Sequence, residues 1–165
     1  MPNDAGGGAH PGGEPIRIGE LPFLDEHGTD IAAGPETVWP ILVEAVDRAF
    51  SGARAAAYAR LIGCADPLAS GPRPLAEGST VPGFRVVAAV PGVELALAGR
   101  HRFSTYALSF HLDRDGAGGV RLRAESRAAF PGPAGRAYRL LVFGSRAHVI
   151  LLRGLLARIR RRAQR

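Results

Sequence analysis

FRVVAAV (84–90), VELALAG (93–99), FSTYALSFHL (103–112) and VRLRAESRAAF (120–130), followed by GRAYRLLVFGSRAHVILLRGLLARIRRRA (135–163), form the stretch that decides the fold. In the fourth segment Val120, Leu122, Ala124, Ser126, Ala128 and Phe130 share one face, while Arg121, Arg123, Glu125 and Arg127 share the other. The third segment repeats the pattern, with Tyr106, Leu108, Phe110 and Leu112 opposed to Thr105, Ser109 and His111. One apolar and one charged face predict antiparallel strands in a sheet covered on a single side. Pro91-Gly92 and Asp115–Gly119 supply the turns between strands, and Pro131-Gly132-Pro133 stops the last one. The period then changes to that of a helix, predicted as one long element over Gly135–Ala163. Its buried line would hold Leu141, Ser145, His148, Leu152, Leu155 and Ile159, with Phe143 and Ile150 opposite, flanked by Arg139, Arg146 and Arg153.

Upstream, residues 1–25 are rich in Gly and Pro and bury too little apolar surface to offset their ordering entropy, so a flexible tail is expected there. A first strand is expected over Glu26–Ala33. Pro35 at the first helical position and Glu36 in the first turn then open a helix whose stripe is Val38, Trp39, Ile41, Leu42, Ala45 and Val46. A second, alanine-rich helix is predicted over Ala53–Ile62, and Asp66–Gly83 holds at most one short strand. The resulting class is α+β: a curved antiparallel sheet of six to seven strands around a long C-terminal helix, with two short helices between the first and second strands.

At 165 residues the chain is sized for one domain, since domains cluster near ~100–150 residues. All 21 basic residues are arginine, and with the abundant Ala, Gly and Pro this reads as coding bias, so the arginine excess is discounted as a sign of nucleic acid. Its distribution says more: residues 1–50 hold nine acids against two arginines, and residues 51–165 hold six against nineteen. An acidic first third lying against a basic remainder is the plain expectation. Cys64 is the single cysteine, which excludes a disulfide framework and a cysteine zinc site. The N-terminus lacks the basic and apolar regions of a signal peptide, and the apolar run Leu140–Leu156 is broken by Arg146, His148 and Arg153. A cytoplasmic protein is the expectation.

This order of elements resembles the helix-grip fold of the START-like (SRPBCC) superfamily, in particular its bacterial polyketide cyclase/dehydrase-like branch. The resemblance runs from Glu26 to Arg162. It is carried by AGPETVWP at 33–40, GSTVPGF at 78–84, the Tyr106/Leu108/Phe110 strand and the terminal helix. It implies a single START-like domain over 26–165 that binds an apolar or amphipathic small molecule, polyketide-like or lipid-like, between sheet and C-terminal helix. A minority of such proteins catalyse cyclisation or dehydration there.

The expected lining is Trp39, Leu97, Tyr106, Leu108, Phe110, Ser126 and His148, with Leu152 beneath. The small residues Ala124, Ser126, Ala128, Gly144 and Ser145 leave room for a ligand. No catalytic residue is assigned. His148 and Tyr106 are the candidates for an acid–base pair, against the plainer reading of a core histidine bonded to backbone or to Tyr106. Arg100-His101-Arg102 is expected in a turn at the rim, placed to grip an anionic group on a ligand. Glu125 faces outward in a charge ladder of about 0.2–1 kcal/mol and is no candidate acid. No cofactor is expected, and the five histidines show no metal-ligand spacing. The arginine-rich end, Arg158–Arg165, leaves a second class open: a basic module contacting anionic lipid at a membrane surface, or nucleic acid.

Overall fold

The computed structural model describes residues 14–165; the first half of the expected tail, residues 1–13, lies outside the described residues. After a single 3-10 turn at Ile18–Glu20, strand β1 spans Phe23–Ile31, starting three residues before the expected position. Helix α1 (Pro35–Phe50) and helix α2 (Ala53–Leu61) follow. The remaining strands are β2 (Thr80–Val81), β3 (Phe84–Val90), β4 (Glu94–His101), β5 (Ser104–Arg114) and β6 (Val120–Ala129). They form one six-stranded antiparallel sheet in the order β1-β6-β5-β4-β3-β2, which curves but does not close. Register shifts at Phe23/Asp25 and Val86/Ala88 bend it toward its concave face. This is the α+β helix-grip architecture.

The turns follow their sequence chemistry. Asp115 accepts hydrogen bonds from the Ala117 and Gly119 amides at 2.8 and 2.9 Å, and Gly116 and Gly118 adopt the positive φ that closes the β5–β6 loop. The expected parity of β6 holds, since Val120, Leu122 and Ala124 are fully buried. Outside, Arg121 pairs with Asp30, and Arg123 with Glu26 and Asp113. With Arg73–Asp47 and Arg162–Glu44, these pairs bring the acidic first third against the basic remainder.

One long C-terminal helix was expected; two are found. Helix α3 spans Gly132–Gly144 and helix α4 spans Ala147–Ala163, bent by 53° from one another. The break sits at Arg146, the one non-glycine residue at positive φ (55°) among the described residues. Ser145 stabilises it locally: its hydroxyl donates to the Val142 carbonyl at 2.9 Å and accepts the Ala147 amide at 3.4 Å. The bend changes the helical phase. Leu152, Leu155 and Ile159 are buried as expected, but Leu141, placed on the same line, is exposed. Ile150 is also exposed. The Phe143 side chain lies outside the described residues.

The core lies between the concave face and the pair α1/α4. Val38, Leu42 and Val46 of α1 meet Leu155, Leu156 and Ile159 of α4 over Leu95, Leu97, Phe110 and Leu122 of the sheet. Pro40 sits inside α1, past the N-terminal N–H groups that lack an intrahelical partner, so it leaves the Glu36 carbonyl without its helix bond. Beyond Leu97 the packing changes. A Cβ at Gly99 would lie 2.1 Å from the Gly83 carbonyl oxygen and 2.7 Å from the Tyr106 ring. That bare backbone lets the Tyr106 ring cross β4 and donate its hydroxyl proton to Gly83 at 2.6 Å. Gly99→Ala is expected to lower stability by about 1–3 kcal/mol, in the range of overpacked interiors. Urea denaturation checks this, and unchanged stability would show that the β2–β3 turn retreats freely.

Candidate functional site

Where the core ends, a cavity of about 380 Å³ begins. Its floor is the lower half of the sheet: Tyr106 and Leu108 of β5 with Ser126 and Ala128 of β6. The walls come from the Pro82–Phe84 turn, from Tyr58 and Ala59 of α2, and from Tyr138 and Val142 of α3. His148, Leu151 and Leu152 of α4 close the remaining side. Aromatic contacts brace the opening. Tyr138 stacks on Phe103 with centroids 5.5 Å apart, His101 meets the Tyr138 ring edge-on at 4.7 Å, and Phe84 meets Tyr106 edge-on at 5.1 Å. The Tyr58 and Tyr138 hydroxyls, 2.8 Å apart, tie α2 to α3 across the space.

Of the residues expected to line the site, the structure gathers Tyr106, Leu108, Ser126, His148 and Leu152 at this cavity. Leu97 and Phe110 lie fully buried in the packed core, and Trp39 packs against that core from α1. The supposed rim triplet separates because β4 runs two residues further than predicted, leaving Arg102-Phe103 as the turn. His101 faces the cavity; Arg100, on the opposite parity, donates to the Glu14 carbonyl at 2.6 Å; Arg102 is exposed. Of the small residues, Ser126 and Ala128 line the space, Ala124 is core, and Gly144 and Ser145 are exposed at the helix break.

The expected pairing of His148 with Tyr106 is replaced by another. His148 Nε2 lies 2.8 Å from Asp25 Oδ2, joining α4 to β1, while the Tyr106 hydroxyl is given to Gly83. Asp25 fell in the segment expected to be a tail, so its role was missed. The signal lies in parity, because Asp25 pairs with the inward-facing Ser126 and therefore shares its side of the sheet. Burial pushes the Asp25 carboxyl up. Hydrogen bonds from His148 and Ser126, with the nearby charge of His148 and His27, outweigh that and hold it below its ordinary value.

The other polar groups are held in neutral forms. Burial pushes Tyr106 far up, with its neighbours Cys64, Tyr138 and Asp66 adding to the shift. It also pushes Tyr138 up, helped by the Tyr58 hydrogen bond. The Cys64 thiol, 3.6 Å from the Tyr106 oxygen, is likewise raised by burial and is a poor nucleophile. Burial lowers His101, and its Nδ1 accepts the Phe103 amide at 3.1 Å, which leaves the neutral ring with its proton on Nε2. Among the described residues no group of three or more His, Cys, Asp or Glu side chains comes together in a way that could hold a metal ion.

A helix-grip domain with an apolar cavity bearing a few polar groups is therefore the class of protein defined here. Comparison with solved structures agrees on the fold. A conserved protein from Geobacillus kaustophilus superposes with a TM-score of 0.51 at 12% identity, covering 84% of this chain and 93% of that one. CalU16 from Micromonospora echinospora gives 0.47 at 14% identity, covering 84% and 82%, and protein Ms6760 from Mycobacterium smegmatis gives 0.49 at 10%, covering 84% and 94%. No family model matches the chain. No curated protein matches it either.

The Asp25–His148 pair sets an acid limit. Because the folded carboxyl is lowered, its stabilisation is complete above the ordinary value near 4 and is lost as pH falls through the lower folded value. In His148→Ala the carboxyl keeps its burial but loses its strongest partner. Its titration, followed by carboxyl NMR, is expected to move up, and the share of stability lost on acidification to shrink, because the folded and unfolded values draw together. An unmoved Asp25 titration would show that His148 does not hold it.

Proposed function

We propose that this chain belongs to the START-like superfamily and binds a small hydrophobic or amphipathic molecule, of polyketide-like or lipid-like chemistry, between sheet and C-terminal helices. The observation that carries the reading is the unfilled lower half of the concave face. A cavity of about 380 Å³ is walled by Phe84, Leu108, Phe130, Val142 and Leu152, with Tyr106, His101, Ser126 and His148 as polar points. Ligand sites of ~300–1,000 Å³ with apolar walls and few polar groups are the common form for small molecules. This one lies at the small end, suited to a compact ring system or a short acyl chain. The polar groups favour a ligand with carbonyl or hydroxyl oxygens, since His101 keeps a donor on Nε2.

Native mass spectrometry of the protein from its own host, followed by organic extraction, tests this directly. A small molecule is expected to co-purify, and Ala128→Phe, which fills the floor of the cavity, is expected to lose it while retaining its circular dichroism. Wild-type protein that arrives empty and takes up no apolar probe would overturn the reading.

The Asp25–His148 pair favours a second reading, a cyclase or dehydratase acting on such a ligand. A carboxylate that holds an imidazole fixes its tautomer and stabilises the imidazolium formed when the ring takes a proton. Here His148 would remove a proton α to a ligand carbonyl, with Asp25 as its positioning residue. Deuterium exchange at the α-carbon of a β-diketone probe measures that step. Exchange above the buffer rate, abolished in His148→Gln and reduced in Asp25→Asn, is expected; exchange at the buffer rate would end this reading.

A further inference from the structure

The elbow between α3 and α4 carries a surface that ligand binding does not use. Leu140 and Leu141 precede the break and Ile150 and Leu151 follow it, and all four are between 69% and 76% exposed. Single exposed leucines are ordinary, but four on the adjoining ends of two helices make a patch. Arg136, Arg139, Arg146 and Arg153 on the same two helices and their junction are exposed as well. No Asp or Glu follows Glu125, so nothing on these helices offsets that charge.

Exposed apolar side chains among uncompensated cations are the chemistry of a helix lying in the interface of an anionic bilayer. Neither helix is long and apolar enough to cross a membrane by itself. A second copy is a poor occupant, because a two-fold contact would set the same arginines against one another. Leu151 also lines the cavity, which puts the patch at its wall.

We propose that the α3–α4 elbow docks on an anionic lipid surface, with Leu140, Leu141, Ile150 and Leu151 in the acyl boundary and the arginines among the headgroups. The apolar wall of the cavity then faces the bilayer, which is the source or sink of the ligand. This last clause rests on the cavity reading; the docking itself does not.

Flotation of the full chain with phosphatidylcholine vesicles, with and without phosphatidylglycerol, tests the docking. Binding is expected on the mixed vesicles and to weaken steeply with salt. Replacing Arg136, Arg139 and Arg153 by Gln is expected to weaken it on the order of a hundredfold, at roughly one contact's worth of attraction per arginine. Leu140→Ser with Leu141→Ser and Ile150→Ser is expected to abolish the binding that survives at high salt. These side chains are exposed, so circular dichroism should stay unchanged. Equal binding to pure phosphatidylcholine, no binding at low salt, or self-association in sedimentation that the serine variant removes would each overturn the proposal. So would binding to polyuridylate as tight as to the mixed vesicles. The cavity-filled Ala128→Phe should still float; failure of ligand retention alone sinks only the cavity reading, and failure of flotation alone only the docking.

Discussion

A single-faced sheet must have its apolar side covered, and here the covering helices are shorter than the face. Packing by α1 and α4 extends along the strands only to about Leu97, Leu108 and Ala124. Below that level the inward residues are Gly99, His101, Ser104, Tyr106, Ser126 and Ala128, a set of small, aromatic and polar side chains that cannot fill the distance to a helix. Interiors are close-packed, so a change of side-chain volume along the same strands becomes empty space. The cavity and the core are the two halves of one surface, separated by what each strand carries at its inward positions.

The helix break belongs to the same constraint. A straight helix from Gly132 to Ala163 would extend one packed line along the sheet. The bend at Arg146 instead lets α4 keep its buried line while α3 leaves the sheet and stands against α2 through the Tyr58–Tyr138 contact. A non-glycine residue in the left-handed region costs on the order of 1–2 kcal/mol. Its cost is offset locally by the Ser145 hydrogen bonds and more widely by the aromatic contacts that Tyr138 makes once α3 has turned. The bend also leaves Leu140, Leu141, Ile150 and Leu151 outside the fold.

Electrostatics works at two scales. On the outer face the ion pairs of Arg121, Arg123 and Arg162 are solvent-exposed and contribute little individually, though together they match the acidic third to the basic remainder. At the inner face the Asp25–His148 pair is half-buried; there hydrogen bonds from His148 and Ser126 and nearby histidine charge outweigh burial and hold the carboxyl low, and the His148 bond anchors α4 to the edge strand.

What the sequence determined by itself was everything that depends on local period and turn chemistry. The alternation at 103–112 and 120–130, the Asp115 loop and the proline start at Pro35 were enough for the sheet, its inward face and the order of the elements. They put Tyr106, Leu108 and Ser126 on the inward face, and the helical period of the last segment put His148 and Leu152 on its buried line. What only the tertiary structure decided was distance across the fold. Asp25 and His148 are 123 positions apart, and nothing local marks an aspartate beside a glycine-rich segment as the partner of a histidine in the last helix. Leu97 and Phe110 share their parity with Tyr106, so no strand pattern could separate core from cavity; that depends on how far two helices reach. Period is a property of neighbouring residues, whereas a site is made by groups whose separation is set only when the chain has closed.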